Sequence, residues 1–122
     1  TRLLLLINRA REGHGVPPLR LSERLSDDAE RHTRAMIRRD WLFHTEDLSS
    51  VLRPYRWRVS GEVLGCALRL HRLVRAWLGS PEHRSILLDP RFRRVGLGPV
   101  ATREGRSCGP GLRVWATAIL YG

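Results

Sequence analysis

The side chains in this chain that could do chemistry are a few histidines and carboxylates, and one of them sits in an unusual place. In Ser80-Pro81-Glu82-His83-Arg84-Ser85-Ile86-Leu87-Leu88, Ser-Pro reads as the start of a helix: the serine hydroxyl can cap a free N–H, and proline at the first helical position has no N–H to lose. His83 then falls on the third helical residue, where free N–H groups point outward and the helix dipole disfavours added positive charge. An imidazole kept neutral there can accept a hydrogen bond or offer a lone pair to a metal ion. A histidine that merely lies on a helix surface is the plainer alternative. His44 and Glu62 carry similar chemistry, 18 positions apart and with Glu62 21 positions before His83. These gaps match no local motif: the chain has no HExxH, Walker loop, GxSxG or dinucleotide fingerprint. Only folding can make one site of the three.

The elements that must position them read as helices first and strands last. Leu3, Leu6, Ile7 and Ala10 recur at helical spacing, with Arg9, Arg11 and Glu12 off that face, until Gly13 and Gly15 end the pattern. "VPPLRL" is an extended connector, because its prolines exclude helix. A second helix is predicted from about Ser22 to Arg39 with Leu25, Ala29, His32 and Met36 as its inner stripe; His32 reads as a helix-face residue rather than a ligand. One helical turn through Leu48 to Leu52 is expected before Pro54, and "YRWRVSGEVLG" reads as irregular or briefly extended, bounded by Gly61 and Gly65. A third helix, Ala67 to Leu78, would bury Ala67, Leu70, Val74, Trp77 and Leu78 and turn Arg69, Arg72 and Arg75 to water. "FRRVGLGPVA" and "GLRVWATAILYG" then read as two strands joined by a turn within Gly105–Gly111. The class is α+β, helices packed on an antiparallel sheet.

The chain has 122 residues, 42% of them hydrophobic, which bounds it to one domain with a real core. The run Leu3–Ile7 is too short to cross a bilayer and has neither the basic leader nor the cleavage pattern of a signal peptide, so a mature domain is expected. The formal charge of +10 invites a nucleic-acid reading. Yet every basic residue is Arg, Gln is absent and Asn occurs once, a composition that reflects Lys-to-Arg replacement throughout, and no basic strand interleaved with aromatics is present. Specific nucleic-acid binding is therefore not expected. Cys66 and Cys108 match no zinc or thioredoxin spacing; they are either buried thiols or, in an exported protein, a pair closing a loop worth about 4 kcal/mol.

The order of these segments resembles the CAP superfamily (cysteine-rich secretory proteins, antigen 5 and pathogenesis-related proteins), in particular its short bacterial branch. "LLLLINRAREGHGVPPLRLSERLSDDAERHTRAM" is similar to the family's opening Leu-Asn-x-x-Arg helix, Pro-Leu connector and Ala-x-x-His-x-x-x-Met helix. "GEVLG" stands where the family shows Gly-Glu-Asn-Ile-Ala. "AWLGSPEHRSILLDPRFRRVGLG" resembles the bacterial Trp-x-x-Ser-Pro-x-His-Arg block, and "VWATAILYG" its last strand. The resemblance covers essentially residues 1–122 as a single domain and implies a three-layer α–β–α sandwich with a central antiparallel sheet and a cleft. His44 and His83 match the two cleft histidines, which in some relatives hold a divalent ion, often zinc; Glu62 matches the acidic residue of the Glu-Asn motif. Three departures strip polar groups from that cleft. Gly79 and Ser80 stand near the family's second carboxylate, Val63 replaces the motif Asn, and Ala118 the usual Gln of the last strand. Export in the family implies an extracellular or cell-envelope location, and with it a Cys66–Cys108 disulfide.

If His44, Glu62 and His83 converge, they would make a zinc site with one open position, or Glu62 would orient one imidazole from behind. The preferred reading is a non-catalytic, monomeric binding module for a small molecule, a lipid or an extracellular macromolecule. The alternatives are a metal-dependent hydrolase, which lacks a general base once Glu62 is committed, and an Arg-rich adhesin for anionic polymers.

Overall fold

The computed structural model describes residues 1–122. Its elements run α1 (Arg2–Gly13), β1 (Arg20–Leu21), α2 (Glu23–Arg39), α3 (Leu48–Val51), β2 (Ser60–Ala67), α4 (Leu70–Gly79), α5 (Pro81–Leu87), β3 (Arg94–Thr102) and β4 (Arg113–Tyr121), with a 3-10 turn at Arg106–Cys108. β3 and β4 pair antiparallel as predicted, and β2 adds antiparallel to the other side of β4. The two-residue β1, contributed by the proline connector, adds to the edge of β3 in parallel, so the sheet has the order β1-β3-β4-β2 and is mixed rather than antiparallel throughout.

Alternation along the strands sorts the core into two layers. Ala116, Ala118 and Leu120 of β4 join Val63, Val95 and Leu97 against Leu3, Ile7, Leu73, Trp77 and Leu87 of α1, α4 and α5. Trp115, Ile119 and Tyr121 face the other way, toward Leu25, Ala29, Met36 and Ile37 of α2. α2 lies close on that face because β3 has glycine there: a Cβ at Gly98 would sit 2.4 Å from the backbone carbon of Ala29, and one at Gly96 2.6 Å from that of Leu25. Thr33, buried in the same seam, lies 2.6 Å from the Gly98 carbonyl and 2.9 Å from the Thr117 hydroxyl.

Four local expectations change. On α1 the inner stripe is Leu3, Ile7 and Arg11, so Arg11 is wholly buried rather than off the face. Its guanidinium donates to the carbonyls of Pro17 (2.8 Å), Leu87 (2.7 Å), Asp89 (3.1 Å) and Phe92 (3.1 Å), and burial lowers its pKa, partly offset by the charge of Asp89. One turn earlier, Asn8 exchanges both amide hydrogen bonds with the backbone of Leu19, anchoring the connector. The α2 stripe uses Thr33 where His32 was expected, leaving His32 half-buried at its edge.

The "SGEVLGCA" segment is a full strand, β2, and its glycines mark close packing instead of its ends. A Cβ at Gly61 would lie 2.9 Å from Ile86, and one at Gly65 2.6 Å from Leu73. Ala67 accordingly ends β2, and α4 begins at Leu70, burying Leu73, Val74 and Trp77.

Candidate functional site

His44 is carried by the segment that leaves α2, and that segment is pinned at three points. Asp40 closes the helix in the left-handed conformation (φ 57°), its N–H bonding to the Ile37 and Met36 carbonyls. The Asp40 carboxylate accepts the Ser107 N–H at 2.8 Å, tying the exit to the 3-10 turn between β3 and β4. His32 donates from Nε2 to the Phe43 carbonyl at 2.6 Å and meets the Phe43 ring edge-on, with ring centres 5.1 Å apart. Arg39 covers the same ring at 5.0 Å. With Phe43 fixed from three sides, the next residue has little freedom.

Glu62 points from β2 to the α2 side of the sheet, with only 4% of its side chain exposed. A carboxylate this buried is tolerable only if its oxygens are bonded. Oε1 accepts the His44 Nδ1–H at 2.9 Å and the Thr45 N–H at 2.8 Å, and Oε2 accepts the Thr45 hydroxyl. Because a carboxylate can only accept, the proton of a neutral His44 resides on Nδ1, and the ring, 68% exposed, presents the Nε2 lone pair to solvent. Thr45 and His32 are the residues that sequence reasoning missed. The hydroxyl next to His44 was the available sign of the first; the second reads, from spacing alone, as part of the core stripe.

His83 is carried by α5. α5 starts at Pro81 as predicted and His83 is its third residue, but Ser80 makes no side-chain capping bond. His83 is half-buried and forms no hydrogen bond to His44 or Glu62. α5 packs through Ile86 over Gly61, on the face opposite Glu62, so a shared site would have to reach around the free edge of β2. Nor are any three His, Cys, Asp or Glu side chains grouped so as to hold a metal ion. Glu62 spends three of its roughly four lone-pair sites on His44 and Thr45, and its bond to Nδ1 orients the His44 ring. A zinc held by His44 and His83 would need a third protein ligand, and no such group of three side chains is formed here.

The missing polar groups of the expected cleft are structurally linked. Val63 and Ala118 are direct cross-strand partners, both fully buried in the layer under α1 and α4. No carboxylate replaces the second one: Gly79 has open space around it, and Glu82 is exposed. A disulfide joins Cys66 and Cys108, Cα atoms 6.0 Å apart, and fastens the 3-10 turn to β2 behind the His44 segment.

Comparison with known proteins extends the pattern. The sequence model of the cysteine-rich secretory protein family (CAP) matches residues 4–119. The Bacillus subtilis strain 168 protein YkwD is 24% identical over 106 residues, 81% of this chain, and the chain spans only 41% of that protein's length. Among solved structures, an outer surface protein of Borrelia burgdorferi superposes with a TM-score of 0.76 at 18% identity, covering 98% of this chain and 89% of its own. A cysteine-rich secretory protein of Staphylococcus aureus gives 0.75 at 22% identity, and an extracellular protein of Bacillus anthracis with an SCP domain gives 0.72 at 22%. Each again covers 98% of this chain, but only 37% and 39% of the two relatives. The shared fold is shown by these likenesses.

Proposed function

The chain belongs to the CAP, or cysteine-rich secretory protein, family, and on that premise we propose that it is a non-catalytic binding module acting outside the cell, with the His44 imidazole as its recognition element. The observation that carries this reading is the use of Glu62. Three of its roughly four lone-pair sites go to Thr45 and His44, so its main service is to hold one ring still. His44 bonds to no serine or cysteine, both cysteines are in the disulfide, and the hydroxyl beside it, on Thr45, donates to Glu62 and not to the imidazole. What the geometry supports is recognition: a fixed Nε2 lone pair accepting a ligand hydroxyl or N–H. Trp41 and Leu42, three and two residues before it and exposed by 56% and 41%, add an apolar surface nearby. A hydroxylated amphiphile matches that combination. The extracellular assignment is supported by the disulfide and by the extracellular and outer-surface relatives.

The test is a titration of the purified domain with a panel of hydroxylated amphiphiles, followed by nitrogen shifts of the imidazoles. Binding should move His44 Nε2 and be weakened about tenfold or more in His44→Ala, at unchanged unfolding temperature. Repeating it with added zinc should leave the affinity unaltered. Binding that survives His44→Ala, or turnover of any member of the panel, overturns the proposal.

A further inference from the structure

A second place in the molecule gathers charge without an opposite partner. Pairing of β1 with β3 sets Arg20 beside Arg94, and the Arg20 N–H donates to the Arg93 carbonyl at 2.9 Å. Arg20, Arg93 and Arg94, together with Pro17, Pro18, Pro90 and Phe92, wall a cavity of about 250 Å³. No carboxylate lines it, and none of the three arginines forms an ion pair; the arginines that do are Arg31, Arg34 and Arg91. Like charges placed opposite each other on paired strands are destabilising. A fourth positive charge stands behind the wall. Buried Arg11 donates to the carbonyls of Pro17 and Phe92, two of the wall residues. The closest candidate for neutralising it, Asp89, gives both carboxylate oxygens to Arg91.

We propose that this cavity binds a phosphate or sulfate group. Guanidinium forks match such tetrahedral oxyanions in geometry and charge, and bind them by paired charge-assisted hydrogen bonds. The volume is below the roughly 300–1,000 Å³ of pockets that enclose drug-sized organic ligands, which suits a headgroup-sized anion. Three prolines, a strand pair and the Arg11 clamp hold the wall in place before the ligand arrives, so little ordering is lost on binding. The +10 charge of the chain alone would give diffuse attraction to any polyanion; the strand pairing brings three arginines to the lining of one cavity.

The experiment is titration with inorganic phosphate at constant ionic strength, chloride making up the balance, followed by calorimetry and backbone amide shifts. Saturable one-site binding is expected, with shifts centred on Arg20 and Arg93. Arg94→Gln should weaken it about tenfold or more, Arg20→Gln similarly, and Arg94→Lys by less, since a point charge lacks the fork. Arg72→Gln/Arg75→Gln on α4 removes two charges elsewhere and should leave the affinity within about twofold. Competition by a soluble phosphodiester polymer assigns the site to chain-borne phosphate, and competition by a phosphate monoester alone to a small molecule; both sustain the proposal. Non-saturable binding, or equal weakening in the α4 variant and in Arg94→Gln with unfolding temperatures unchanged, would reduce the cavity to bulk electrostatics and overturn it.

Discussion

Arg11 is buried between α1 and the loop leading into β3, and its hydrogen bonds end on the carbonyls of Pro17, Leu87, Asp89 and Phe92. Glu62, almost as deeply buried on the opposite side of the sheet, ends on Thr45 and on an imidazole that is mostly in water. Both are charges removed from solvent, and both are satisfied. Arg11 gives all its hydrogen bonds to main-chain oxygens and fixes backbone, whereas Glu62 passes its orientation to a side-chain ring that a ligand can touch. A buried charge is thus weak evidence for a site until the last atom in its chain of bonds is identified.

The widest contrast should come from Arg11→Met. The apolar stem is replaced, but four carbonyls lose their donor, at about 1 kcal/mol or more each, giving a destabilisation of about 5 kcal/mol in urea unfolding. Imidazole spectra of His44 should be unchanged in the fraction that stays folded. A loss below about 1 kcal/mol would show that the carbonyls find water, and the clamp would then be incidental.

Reduction of Cys66–Cys108 tests the support behind His44. Opening a loop of 42 residues should cost about 4 kcal/mol on chain-entropy grounds. It should also broaden His44 before global unfolding, since the freed turn carries the Ser107 N–H that holds Asp40. Loss of stability with His44 still sharp would detach the disulfide from the site.

Much of this layout was legible in the residues. The start of α5 follows from proline at its first position, the start of α2 from the Ser22 cap, and the last two strands from local periodicity. What stayed hidden depended on contacts between distant segments. Arg11 continues the i, i+4 stripe of Leu3 and Ile7, but a charge on that stripe reads as solvent-facing unless the acceptors 76 to 81 positions away are known. Gly61 and Gly65 read as breaks because glycine weakens a strand, and only Ile86 and Leu73 pressing on them explain their presence inside β2. At the site, folding bonds His44 to Glu62 across 18 positions, while His83, grouped with them by a family pattern, shares no hydrogen bond with either. The three-arginine cavity was invisible for a related reason: the parallel pairing of a two-residue strand cannot be read from a proline-rich connector.

Glu62→Ala should have a smaller energetic effect than either clamp or disulfide and a larger functional one. Two Thr45 donors and one imidazole lose their acceptor, but the Thr45 hydroxyl and the exposed ring can turn to water, so about 2 kcal/mol is expected. Nitrogen shifts should show His44 no longer held with its proton on Nδ1. Glu62→Gln, which keeps one acceptor oxygen, should retain part of that preference. A tautomer unchanged in the alanine variant would mean that Glu62 and Arg11 are alike after all, both merely structural.

The smallest effect concerns the one carboxylate whose charge reaches Arg11. Asp89 is held below the usual carboxylate range, chiefly by hydrogen bonds from the Arg91 side chain, with the Arg91 N–H and the charges of Arg91 and Arg11 adding to them against partial burial. Unfolded, the same carboxyl titrates near about 3.9. The folded form therefore holds its proton less tightly, and the stability this provides is complete above that pH and is lost as pH falls through the lower folded value. Asp89→Asn should be slightly less stable than the parent at neutral pH, and the two should converge as pH falls through the lowered folded value. Parallel acid-unfolding curves down to about pH 2 would show that the Asp89 charge contributes nothing. Arg11 would then be secured by carbonyl dipoles alone, and the contrast with Glu62, a buried charge bonded to a titratable group, would be at its sharpest.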